Sequence, residues 1–182
     1  MKYLFILFIC SFSFISSSFS QKSVNNIIKQ IKNTEHYEGI KIPGWALYLG
    51  LKIAESSDDE LKDMDLMRIA KHIKSVRVAT TKLDESKFNV TAIVNNFIKS
   101  VKDKDQFDEY ISVRSEDQNL KIMIQEKKDV IKNIVILSAE GSDLACIHLK
   151  TDFQLDDLKN ISFADIKKNI SFADIKKNIP SK

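Results

Sequence analysis

The sequence has 182 residues, of which 43% are apolar and 29% are charged, as in globular proteins and unlike disordered or collagen-like chains. Its 28 basic and 25 acidic residues alternate along the chain and leave a net charge of +3, which argues against a nucleic-acid-binding protein. The four glycines are too scattered to form a glycine-rich loop that binds phosphate.

Residues 1–20 have the three-part layout of a secretory signal peptide. A basic start at Lys2 precedes an apolar run and a stretch of small residues that ends at Ser20. The apolar run is about 13 residues long, whereas a membrane-spanning helix needs about 20. We therefore predict cleavage after Ser20 and export to the periplasm or the extracellular space, rather than a retained anchor.

Cleavage would remove Cys10 and leave Cys146 as the only cysteine. Without a second thiol no internal disulfide is expected, so packing must hold the domain together. Cys146 lies in an apolar, strand-like run, which is typical of a buried thiol that acts as a small apolar group. A catalytic nucleophile is the alternative interpretation of this residue.

The mature chain alternates between helical and strand-like apolar patterns. In chain order they predict helix 23–33, strand 38–42, helices 45–54 and 61–70, strand 74–81, helix 88–101, and then three or four strands at 110–115, 120–126, 133–138 and 144–150. The apolar residues between 45 and 54 are too crowded for a strand with one polar face, so we expect a buried helix there, with Trp45 in the core. Asp84, Glu85 and Ser86 offer caps for the helix at 88–101.

Short polar turns separate the last strands, so an antiparallel meander is the simplest topology. Leu120, Ile122 and Ile124 share one strand face, and we expect the helices to cover it while the opposite face is wetter. The predicted fold class is therefore α+β: a two-layer domain with a mostly antiparallel sheet of about five strands, helices packed on one face and a signal peptide in front. We predict a single domain over 21–161.

The C-terminal segment 162–182 contains most of a duplicated nonapeptide, since residues 160–168 are repeated without change at 169–177. Each copy carries a Ser-x-x-Asp pattern that can start a helix. Nine residues make two and a half helical turns, so in one continuous helix the apolar sides of the two copies point in opposite directions. We expect deletion of 169–177 to change the melting temperature little. An amphipathic tail for a membrane or a partner is the functional alternative.

Several segments together resemble a known family over most of the mature chain, from about Glu38 to Ile161. They are Ile73–Val78 with the following helix, Glu109–Ile111, Leu120–Ile122, Ile134–Leu137 and Leu155–Leu158. This pattern resembles the domain-of-unknown-function 4252 family of exported bacterial proteins. The resemblance implies a fold and a compartment, and it implies no activity, substrate or site residues.

The residues that could take part in catalysis or bind a metal form no recognisable motif. Cys146 and His148 share one strand face, and His72 could in principle complete a metal site with them, although a partly buried pair is the simpler interpretation. An acidic cluster over 58–65 lacks the glycine and terminal glutamate of a calcium loop. Ser86 with Lys87 matches no serine hydrolase pattern. We therefore predict no catalytic, cofactor-binding or metal-binding residues and no cofactor.

These observations favour an exported cell-envelope protein that is a non-catalytic binding or regulatory module with a protein partner in the envelope. Two alternatives stay open. One is an enzyme, such as a hydrolase, whose site is assembled only in three dimensions. The other is a peripheral membrane protein that uses the amphipathic tail. No small-molecule substrate is identifiable from the residues. A deep polar pocket with His148 or His72 beside carboxylates would favour an enzyme, and an apolar surface patch would favour the binding module.

Overall fold

The computed structural model describes residues 21–57, 66–84, 89–115 and 118–154. Within these ranges the elements are α1 (Lys22–Lys32), β1 (Glu38–Pro43), α2 (Gly44–Ser57), α3 (Leu66–Lys71), β2 (Ile73–Lys82), α4 (Val90–Asp105), β3 (Asp108–Arg114), β4 (Gln118–Lys127), β5 (Val130–Glu140) and β6 (Asp143–Gln154). The predicted α+β class with an antiparallel sheet is confirmed, and the sheet has six strands where about five were expected.

The sheet has the strand order β1-β2-β6-β5-β4-β3, and every neighbouring pair is antiparallel. Strands β3 to β6 form the predicted meander. Two-residue turns connect its last two hairpins: Lys128 and Asp129 have φ angles of 54° and 60°, and Gly141 has a φ angle of 53°. Positive φ angles in such short turns match the twist of the strands they connect. The strand order places β6 inside the sheet, between β5 and β2.

Helices α1 and α4 pack on the face of the sheet that carries Met123 and Val135, both fully buried. The expectation that the helices cover the Ile122 face is therefore wrong for these two helices. Met123 pairs with Val135 across β4 and β5, so these side chains stand together on the face opposite Ile122. Both form one cluster with Val24 of α1 and Val101 of α4.

The opposite face is apolar as well, and the expected wetter face is not found in this part of the chain. Ile122 and Ile124 of β4 form a second buried cluster with Ile134 and Phe153, and Ile69 of α3 packs against it. Water is thus excluded from both faces of β4 over residues 122–125. The helix-covered face of β4 carries Lys121 and Gln125 beside Met123, and Gln125 is buried with its hydrogen bonds satisfied inside the core. The polar residues in the sequence therefore marked the wrong face as the wetter one.

Two local predictions need correction. Helix α4 begins at Val90, and its N-cap is Asn89, whose side chain accepts a hydrogen bond of 2.9 Å from the backbone N–H of Ala92. That bond satisfies a free donor of the first turn, so Asn89 takes the role assigned to Asp84, Glu85 and Ser86. Helix α2 forms as predicted, but its predicted burial is wrong, because Trp45 is 69% exposed.

Several predictions concern residues outside the described ranges. They are the leader at 1–20, the acidic cluster and helix start over 58–65, the pair Ser86 and Lys87, and the duplicated tail.

Candidate functional site

Cys146 and His148 lie on the helix-covered face of β6, as their spacing of two residues predicts. Cys146 is fully buried and belongs to the main core cluster. Burial raises the pKa of its thiol to about 12, and the positive charge of Arg77 only partly offsets this effect. The thiol is therefore protonated at neutral pH, which does not suit a nucleophile. The interpretation of Cys146 as a buried apolar group is confirmed.

We expect the Cys146 thiol to resist iodoacetamide in the folded protein at pH 8 and to react fully in concentrated guanidinium chloride. The reason is that alkylation needs an accessible thiolate, and the fold provides neither access nor charge. Mass spectrometry of the two reactions is the measurement. Rapid modification under native conditions would contradict the placement of Cys146 in the core.

His148 is 1% exposed, and its two hydrogen-bond partners determine which ring nitrogen carries the proton. The guanidinium of Arg77 lies 2.8 Å from its Nδ1, so Nδ1 must accept this bond because arginine can only donate. Nε2 therefore carries the proton and donates to Asn133 Oδ1 at 3.0 Å. Burial lowers the pKa of His148 to about 3, and the charges of Arg77 and Lys150 act in the same direction. The imidazole is neutral at physiological pH.

The hydrogen bonds continue in one direction beyond His148. Asn133 donates to Gln125 Oε1 at 2.6 Å, and Gln125 donates to the backbone carbonyl of Asp105 at the end of α4. We call Arg77, His148, Asn133 and Gln125 the His148 network. Each member donates to the next, so its buried polar groups are satisfied in sequence.

Helix α1 is tied to the same region. Asn25 accepts a bond of 2.8 Å from Arg77, and Gln21 donates to Asn133 at the same distance. The backbone N–H of Ser23 donates to the carboxylate of Asp105 at 2.8 Å. The start of α1 and the end of α4 are therefore fixed to the sheet at one place. These hydrogen bonds hold the two helices on the sheet, and they need no ligand to do so.

His72 lies elsewhere and does not join Cys146 and His148. Its Nδ1 is 3.2 Å from Asp152 Oδ1, and Lys74 Nζ is 3.1 Å from the other carboxylate oxygen. Partial burial alone would raise the pKa of Asp152, but the hydrogen bonds and charges of Lys74 and His72 outweigh it and lower that pKa. Among the described residues, no group of three His, Cys, Asp or Glu side chains is placed to hold a metal ion.

A cavity of about 860 Å³ lies between the end of α1, the end of β2 and the start of α4. Its lining includes the apolar Ile31 and Leu144 and the polar His36 and Asp84. Neither of the two histidines described above is in the lining.

The most exposed apolar side chains of the described residues stand on α2. Trp45 is 69% exposed, Leu49 is 48% exposed and Ile53 is 68% exposed. Their spacing of four residues places them on one side of the helix, and we call them the α2 stripe. The exposed Lys52 lies beside Ile53. The sequence does not predict this surface, because apolar residues spread around most of a helix do not reveal which side meets solvent.

Within the described ranges, no helix combines the length and the apolar character needed to cross a membrane.

Residues 32–161 match the model of a family described as Domain of unknown function (DUF4252). No curated protein and no solved structure matches the chain. The matched range includes every strand of the sheet and three of the four helices described above. Since it covers more than half of the sequence, the chain belongs to the DUF4252 family, as its apolar pattern indicated.

Proposed function

We propose that the protein is an exported, non-catalytic binding module of the cell envelope, and that it contacts a partner protein through the α2 stripe. The exposure of Trp45, Leu49 and Ile53 carries this proposal. Exposed apolar side chains grouped on one surface are typical of interaction sites, and tryptophan is enriched among the residues that dominate binding energy.

The position of the reactive side chains supports a non-catalytic role. The core encloses both Cys146 and His148, and the arrangement around them keeps the thiol protonated and the imidazole neutral. The cavity near α1 contains neither group. A deep polar pocket with His148 or His72 would favour an enzyme, and an exposed apolar patch would favour a binding module. The described residues provide the apolar patch.

Two observations support export. Helix α1 begins at Lys22, directly after the proposed cleavage site, and Gln21 already donates a hydrogen bond to Asn133. The fold thus uses the mature chain from its first residue. Cys146 is a free, buried thiol, which is compatible with an oxidising compartment because it is shielded from reaction.

Site-specific photo-crosslinking in cells that export the protein tests the proposal. A photoreactive benzoylphenylalanine replaces Trp45 in one variant, Ile53 in a second, and in a third the exposed Lys29 of α1, which serves as the matched control. We expect the same protein adduct at positions 45 and 53 and none at 29. Equal adducts at all three positions, adducts with lipid only, or no adduct would contradict the proposal.

A further inference from the structure

The face of the sheet opposite α1 and α4 is buried at its centre, although neither of these helices covers it. Ile122, Ile124 and Ile134 are 3%, 8% and 6% exposed, respectively. Their neighbours Met123 and Val135 point to the helix-covered face, and successive side chains of a strand point to opposite faces. The three isoleucines therefore face away from α1 and α4, and something else must exclude water from them.

The described helices on that side lie mainly over the other half of the sheet. Helix α3 contacts β2, and α2 contacts β1 and β2. Ile69 of α3 reaches the edge of the isoleucine cluster. A single partly buried residue is too small to cover three isoleucines on β4 and β5.

The position where the described chain ends points to one segment. Gln154, the last residue of β6, pairs with Val130, the first residue of β5, so the chain leaves the sheet beside this cluster. Phe153, directly before it, is already a member. The segment 58–65 instead links α2 to α3 in the sequence, and those helices contact β1 and β2. It is also rich in acidic residues.

The sequence after Gln154 has the composition that such a cover requires. Apolar residues recur along its first part, namely Leu155, Leu158, Ile161, Phe163 and Ile166. The family match also continues seven residues past the last strand, to residue 161. The domain that the family model recognises therefore includes the start of this segment.

We propose that residues 155–168, which include the first copy of the repeat, dock on the β4–β5 face of the same chain and cover Ile122, Ile124 and Ile134. The second copy, 169–177, has the same residues but takes no part in this contact. Of the two copies, the first is joined to β6 by the shorter connection.

The repeat provides a matched pair of variants in the full-length chain, because Phe163 and Phe172 occupy the same position in identical nonapeptides. We expect Phe163→Lys to lower the melting temperature by about 5–10 °C and to increase binding of the dye ANS, since a charge in the contact exposes the apolar face. Phe172→Lys should leave both unchanged.

If Phe163→Lys prevents folding, the milder pair Phe163→Ala and Phe172→Ala is compared by urea unfolding, with the same order of effects expected. Equal effects of the two substitutions, small or large, would overturn the proposal. A larger effect at Phe172 would also overturn it, because the second copy would then be the one that docks.

Discussion

Replacing Asn133 with leucine is expected to lower the free energy of unfolding by about 3–5 kcal/mol. Asn133 accepts from His148 and donates to Gln125 inside the core. Leucine has a similar volume but makes neither bond. The His148 N–H and the Gln125 carbonyl would then stay buried without partners, and each such group costs about 1–3 kcal/mol.

Urea unfolding followed by circular dichroism measures this effect. Asn95→Leu is the matched control, because Asn95 is exposed on α4 and its replacement should change stability by no more than about 0.5 kcal/mol. A loss of less than about 1 kcal/mol for Asn133→Leu would show that the His148 network does not secure the core as described.

Acid is expected to destabilise the protein through His148. The pKa of this imidazole is about 3 in the folded state and 6.5 ordinarily, so between these values the unfolded chain binds a proton that the folded protein does not. Stability therefore rises with pH through this window and is complete above about pH 6.5. At about 1.4 kcal/mol per pH unit, a change from pH 7 to pH 4 should cost about 3 kcal/mol.

The variant His148→Gln isolates this contribution. Glutamine can accept from Arg77 and donate to Asn133, and it does not titrate. Asp152, whose pKa is lowered in the fold, also makes the protein less stable in acid, but it does so equally in both proteins. Unfolding measured from pH 7 to pH 4 should therefore show a smaller loss for the variant. Parallel curves for the two proteins would contradict the neutral, buried state of His148.

Much of the fold could be predicted from the residues because the signals are local. The helix α4 and the strands β3 to β6 follow from apolar periodicity and from short polar turns, and the structure confirms both. The buried role of Cys146 follows in the same way from its apolar neighbours. These predictions need no knowledge of which segments meet in space.

The remaining features depend on long-range pairing that no local pattern contains. The His148 network joins Arg77 of β2, Asn133 of β5 and Gln125 of β4, which meet only because β6 lies between β2 and β5. The exposed side of α2 was missed for a related reason. Trp45 sits in a helix without a polar face, so only the packing of that helix decides what meets solvent.

We propose that the α2 stripe is one continuous surface on which a partner protein docks. The most direct test measures the cross-linked adduct formed at position 45 in exporting cells, with and without the added substitution Ile53→Lys. A charge two helical turns away should abolish the adduct while the melting temperature stays within about 2 °C, because Ile53 is exposed. An adduct of undiminished intensity would contradict the claim.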